Sequence, residues 1–151
     1  MPRNDHGGPL KGVTVIDMTS VLMGPYCTQI MSDLGADVIK VEGPEGDITR
    51  QIGPGKREGY SGVYYTLNRG KRSVLLDLKR PEAKAALLKM VEKCDVFIHS
   101  VRHLAMERLG LTYETLSAVN PGLVYANLYG FGRKGEYAGQ PAYDDTIQGM
   151  T

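Results

Sequence analysis

The stretch GVTVIDMTSVLMGPYCTQIMSDLGADVIKVE, Gly12 to Glu42, constrains this chain more than any other. It opens on a run from Val13 to Met18 in which Val13, Val15 and Ile16 are apolar and β-branched, a composition that suits a strand buried on both faces. A short loop closes at Gly24-Pro25, and Pro at the first helical position sacrifices no hydrogen bond. From Tyr26 the apolar residues Ile30, Met31 and Leu34 recur at helical spacing, and Gly35 follows as a left-handed cap. Asp37 to Glu42, DVIKVE, is a second strand. Strand, helix and strand in so little chain predict a βαβ unit with a right-handed crossover. Ligands of open parallel sheets sit beyond the carboxyl ends of the strands. The loop Thr19 to Gly24 is therefore the first place to look for a site. It lacks G-x-G-x-x-G, so an NAD reading has no support there.

The rest of the chain repeats the alternation. Gly43 to Gly62 is rich in Gly and charge, has no sustained period, and reads as a long surface excursion. Tyr64 to Leu67 is a short helix or extended piece, and Asn68 to Arg72 is a turn with cations at Arg69, Lys71 and Arg72. Ser73 to Leu78 is a strand. Pro81 starts a helix with Glu82 in its first turn and Ala85, Leu88 and Val91 as its apolar stripe. Asp95 to His99 is a strand, followed by a brief helix carrying Ala105, Met106 and Leu109 and ended by Gly110. Thr112 caps a helix through Val119, and Leu123 to Leu128 is the next strand. A last helix begins at Asp144. The pattern predicts an α/β fold, a Rossmann-like parallel sheet with flanking helices.

Composition narrows the function classes. A chain of 151 residues suffices for one domain with a real core, and its net charge of only +1 gives no general attraction to nucleic acid or an anionic membrane. The N-terminus has no apolar run after its charges and reads as neither secretory signal nor anchor. Cys27 and Cys94 read as reduced thiols of a cytoplasmic protein.

Several cations gather near strand ends. Arg69, Lys71 and Arg72 precede one strand, Lys79 follows it, and Arg102 and Arg108 lie just beyond another. Each hydrogen bond to a charged group contributes about 1.5–3 kcal/mol, so two or three suffice to hold a nucleotide phosphate; by spacing alone, a solvated basic turn is the better reading. Arg102 and Arg108 carry the planar fork that suits phosphate. Gly130 to Gly135 matches G-x-G-x-x-G after a strand, but Glu136 to Pro141 cannot begin the required helix, so it is a flexible loop. His6, His99 and His103 show no metal-ligand spacing and read as loop histidines. Asp144 and Asp145 are adjacent and point apart on a helix, which excludes a paired acid and base.

Several segments together resemble the family III CoA-transferases, the CaiB/BaiF family. They are Pro9 to Asp17, Gly24-Pro25, Asp33 to Glu42, Gly46-Asp47 with Arg50, Leu67 to Ser73, Leu76 to Lys79, Arg108 to Leu111, Asn120 to Tyr125, Gly130 to Gly132, and Pro141 to Asp144. The resemblance implies the N-terminal, CoA-binding part of an enzyme that moves coenzyme A from an acyl-CoA to a carboxylic acid through a covalent aspartyl intermediate. It implies an interlocked homodimer, coenzyme A as substrate without a permanent cofactor or metal, and no nucleic-acid or membrane partner. By matching position it implies that Val21, Leu76, Lys79, Ala105 and Arg108 line the CoA path, which Arg102 joins on its phosphate-suited fork alone, with Tyr143 and Asp144 near the thioester. The family's nucleophilic aspartate lies downstream of that pair, so no catalytic residue is expected within the chain, which reads as truncated before it and inactive alone. The chain departs from the family at Leu22, Gly43 and His99 to Leu104. A 2-methylacyl-CoA racemase resembles Gly-His-Asp where this chain has Ala142-Tyr143-Asp144. Tyr is a poor base, with an ordinary pKa of about 10, and transfer is the better reading. A non-catalytic CoA-binding remnant is the third.

Overall fold

The computed structural model describes residues Gly7 to Met150; His6 and the rest of the first six residues lie outside the described residues, as does Thr151. Strand β1 (Thr14–Met18) leads into helix α1 (Met23–Asp33) and strand β2 (Asp37–Glu42). A short 3-10 turn (Ile48–Gln51), the hairpin β3 (Gly55–Arg57) and β4 (Tyr60–Ser61), and helix α2 (Gly62–Asn68) precede strand β5 (Arg72–Leu75). Then come α3 (Pro81–Val91), β6 (Val96–His99), α4 (His103–Leu109), α5 (Tyr113–Val119), β7 (Val124–Asn127) and α6 (Asp144–Met150).

Five strands form one sheet in the order β5-β2-β1-β6-β7, and every neighbouring pair is parallel. The α/β, Rossmann-like expectation holds. The chain builds outward from β1 through β2 to β5, then returns to the other side of β1 with β6 and β7. Strand order therefore reverses between β1 and β6, the position where a crevice opens in this kind of sheet.

Alternation along the strands sends side chains to two packed faces. Ile16, Met18, Val41 and Phe97 meet Leu87, Val91, Met106, Leu111 and Leu116, which places α3, α4 and α5 on one face. Val15, Val38 and Ile98 form the other core with Ala36 and the half-buried Met31 of α1. Burying each such side chain contributes about 1.5–3 kcal/mol.

Three local expectations are corrected. Helix α1 starts two residues before Pro25, and its inward face is Gly24, Pro25, Thr28, Gln29 and Ser32, while Ile30 and Leu34 stay exposed. The cause is the buried carboxylate of Asp17 beneath it, which needs donors such as the Thr28 hydroxyl, 2.6 Å away. The excursion after Glu42 contains a 3-10 turn capped by Asp47 and a two-stranded hairpin. In α3 the buried residues are Leu87 and Val91, while Ala85 is exposed. Gly35 has φ +100°, as the left-handed cap requires. Cys27 is exposed, Cys94 is buried, and both are free.

Candidate functional site

The loop from Thr19 to Leu22 leaves the carboxyl end of β1 beside the reversal point. Val21 in this loop has φ +71°, the sole positive φ outside glycine among the described residues. A β-branched residue in that region costs on the order of 1–3 kcal/mol and persists only where its surroundings over-determine it.

Those surroundings are two buried ion pairs. Asp17, at the end of β1, accepts hydrogen bonds from the Thr19 N–H (2.8 Å), the Thr28 hydroxyl (2.6 Å) and the Lys71 ammonium (3.1 Å). Lys71 also donates to the Pro25 carbonyl at 2.8 Å and to Asn68 Oδ1 at 2.9 Å. Burial pushes the Lys71 ammonium down to about 8 against the attraction of Asp17. Lys40, from the middle of β2, donates to the Thr19 carbonyl at 3.0 Å and to Asp47 at 2.9 Å. Asp47 accepts from the Thr49 N–H at 3.0 Å and receives the Val21 N–H at a long 3.5 Å.

A third cluster abuts these. Glu42 takes a two-pronged contact from Arg50 at 2.8 and 2.6 Å and bonds with Ser73 at 2.6 Å, the Tyr64 hydroxyl at 3.1 Å and the Asp47 N–H at 2.9 Å. The Arg50 guanidinium lies 3.9 Å from the Tyr64 ring centroid, a cation–π contact. Burial opposes ionisation of Glu42, but the Arg50, Ser73 and Asp47 contacts outweigh it and hold its pKa at about 2.

The loop is also gripped by shape. A Cβ on Gly24 would stand 2.4 Å from the Thr19 Cβ. Gly24→Ala is therefore expected to destabilise the fold by about 1–3 kcal/mol, the range for overpacking, and a urea midpoint shift will measure it. The next loop joins in: the Ser20 N–H donates to Ser100 Oγ, just past β6, at 3.1 Å. This bond ties together the two strand tips on either side of the reversal.

The candidate site residues are distributed as follows. Val21 stands exposed in the β1 loop. Leu76 follows β5, its N–H bonded to the Glu42 carbonyl at 2.8 Å, and its side chain packs on the larger core. Lys79 is exposed in the turn after β5, with its N–H on Asp77 at 3.1 Å. Arg102 precedes α4 as its N-cap residue, while Ala105 and Arg108 lie within that helix, both arginines exposed. All six follow the carboxyl ends of parallel strands. Tyr143 is exposed ahead of α6, and Asp144 opens that helix and accepts from Gln148 Nε2 at 3.0 Å.

The cationic turn has a different role from the one expected. Arg69 pairs with Asp33 (2.6 Å), Lys71 with Asp17 (3.1 Å) and Arg72 with Asp37 (2.6 Å). Each cation is engaged with a carboxylate, so this turn stitches β5 and α2 to the β1–α1–β2 unit. Among the described residues, no ion pair engages Lys79, Arg102 or Arg108.

His99 is the last residue of β6, fully buried, rather than a loop histidine. Its ring packs against Phe97, Tyr125 and Tyr129, with centroids 6.0, 5.2 and 5.9 Å away, and neither nitrogen has a hydrogen-bond partner. Burial lowers its pKa despite the nearby Asn127 side chain and Val101 backbone.

The buried network was missed because each charge looked ordinary alone. The available signal was Lys40 and Glu42 alternating with Val and Ile inside a strand read as buried. A charge on a strand with both faces covered needs a partner.

Comparison with known proteins gives a consistent neighbourhood. The model of CoA-transferase family III matches residues 10–151. The chain is 44% identical over 150 residues to the succinate–glutarate CoA-transferase of Agrobacterium fabrum, covering 95% of this chain and 38% of that protein. It is 47% identical over 146 residues to the acetyl-CoA:oxalate CoA-transferase of Acetobacter aceti, covering 95% and 37%. A crystal structure of a CAIB/BAIF family protein from Brucella suis superposes with a TM-score of 0.91 at 42% identity, covering 96% of this chain and 39% of that one. The chain thus spans less than two fifths of the length of these relatives.

Proposed function

The chain belongs to CoA-transferase family III, and from that premise we propose that it supplies the coenzyme A cradle of an enzyme that transfers CoA between an acyl-CoA thioester and a carboxylic acid. The observation that carries this reading is the convergence at the strand reversal. The left-handed Val21 loop and the loop leading to Arg102 are joined there by the bond from Ser20 to Ser100. Arg102, Arg108 and Lys79 carry positive charge without ion-pair partners among the described residues, which suits CoA phosphates. Ala105 leaves room beside α4 for the pantetheine chain, and Val21 and Leu76 offer it apolar contact.

The reaction divides one exchange into easier steps. An aspartate carboxylate attacks the thioester carbonyl, the C–S bond breaks, and CoA leaves as a thiolate while a mixed anhydride forms. The thiolate then attacks the aspartyl carbonyl, which gives an enzyme-bound thioester and releases the donor acid. The acceptor carboxylate reverses these two steps on its own behalf. The nucleophile is assigned to polypeptide following Thr151; Tyr143 and Asp144 are assigned to the surroundings of the thioester. The names of the two relatives, with succinate, glutarate and oxalate in them, support a dicarboxylic acid as acceptor. An interlocked homodimer is proposed for the whole enzyme, acting in the cytoplasm. No helix among the described residues is long and apolar enough to cross a membrane.

Calorimetry of the isolated chain with CoA is the direct test. Saturable binding that weakens at least about tenfold in an Arg102→Ala/Arg108→Ala variant is expected, since each charge-assisted bond contributes about 1.5–3 kcal/mol. The chain alone is expected to show no CoA transfer from succinyl-CoA to oxalate. Turnover by the pure chain would place the nucleophile within it and overturn the assignment.

A further inference from the structure

We infer that Lys40 and Asp47 are positioning residues, a buried clamp whose task is to hold Val21 left-handed so that the β1 loop meets CoA in a preset shape. The inference rests on the CoA reading above. It begins from the outlier itself: a β-branched residue at φ +71° on an exposed loop, where nothing in the loop's own sequence favours that conformation. The side chains of Lys40 and Asp47 are each 1% exposed and lie 2.9 Å apart. Between them they hold the backbone that leads into the strained residue. Lys40 takes the Thr19 carbonyl at 3.0 Å, two residues before Val21, and Asp47 faces the Val21 N–H at 3.5 Å. Asp47 is itself fixed by the Thr49 N–H and hydroxyl at 3.0 and 2.8 Å, and its own N–H is held by Glu42.

A buried ion pair is a poor way to stabilise a fold, because an apolar pair of similar volume does as well or better. This pair is spent on backbone groups of one loop instead. A loop ordered before binding loses less entropy when the ligand arrives.

The test uses the full chain with Lys40→Met and Asp47→Leu combined, which removes both charges and avoids the orphaned ion that either change alone would leave. Circular dichroism and urea midpoints check that it folds. Backbone scalar couplings of Val21 report its φ, and calorimetry reports CoA affinity. The expected result is a folded variant in which Val21 returns to negative φ and CoA binds at least about tenfold more weakly. Val21→Gly provides the second reading. It should raise the urea midpoint of the unmodified chain, where it relieves strain, and fail to raise that of the double variant, where no strain remains.

Unchanged φ at Val21 in the folded double variant would overturn the clamp, as would unchanged CoA affinity. An equal response to Val21→Gly in both backgrounds would overturn it too. Should the double variant not fold, a Lys40→Met/Asp47→Asn chain, which also leaves no orphaned charge, replaces it, with the same couplings and titration. Absence of CoA binding by the unmodified chain would instead overturn the CoA reading and the positioning role with it, whatever the couplings show of the backbone.

Discussion

Asp17→Ala is expected to lower the unfolding free energy by about 3–5 kcal/mol, the range for breaking one side of a buried ion pair. Asp17 and Lys71 have side chains 0% and 1% exposed, so the loss is not screened by solvent. The substitution leaves the Lys71 ammonium, the Thr28 hydroxyl and the Thr19 N–H facing a void where a carboxylate stood. With a urea slope of about 2 kcal/mol/M, the midpoint should fall by about 2 M. For a domain whose whole stability is about 5–15 kcal/mol, that is a large share of the total. The paired change Asp17→Leu with Lys71→Met is expected to recover most of the midpoint, because no uncompensated charge remains. A single Asp17→Ala variant with the unmodified chain's midpoint would show that the geometry around Asp17 contributes little.

Acid should unfold this protein largely through Glu42. Its folded pKa is about 2 against an ordinary 4.5. The unfolded chain therefore takes up the proton first as pH falls. The stability contributed by ionised Glu42 is fully present above about pH 4.5 and is lost as pH drops through 4.5 toward 2. At about 1.4 kcal/mol per pKa unit, the loss is about 3 kcal/mol. Asp47, also held below its ordinary value against the pull of burial, adds in the same direction through its bond with Lys40. Urea midpoints followed from pH 6 to pH 2 should fall steeply over this window. Glu42→Gln should start lower at pH 6 and show a flatter slope, since its amide does not titrate. An equally steep slope in Glu42→Gln would assign the acid sensitivity to other carboxylates.

Local chemistry made much of the fold legible in advance. Val13 to Met18 and Asp37 to Glu42 had to be buried strands because their β-branched residues fit a covered sheet and little else. Thr112 as a cap and Gly110 and Gly35 as left-handed terminators were visible because each rests on a residue's own backbone preferences. Motif order along the whole chain likewise carried the family resemblance without any knowledge of packing.

What the amino-acid order could not express was which charge meets which. Arg69, Lys71 and Arg72 read as a solvated basic turn, with a phosphate site as its rival, until the fold set Asp33, Asp17 and Asp37 against them. The apolar residues of α1 looked like its buried stripe until Asp17 drew Thr28 inward. Sequence by itself determined the strands and helices of the main sheet, the parallel α/β class and the family, because backbone propensity and hydrophobic periodicity act over a few residues. Only the tertiary structure decided the ion pairs, the left-handed Val21 and the burial of His99. Those depend on groups from distant parts of the chain meeting in a place where water cannot compete.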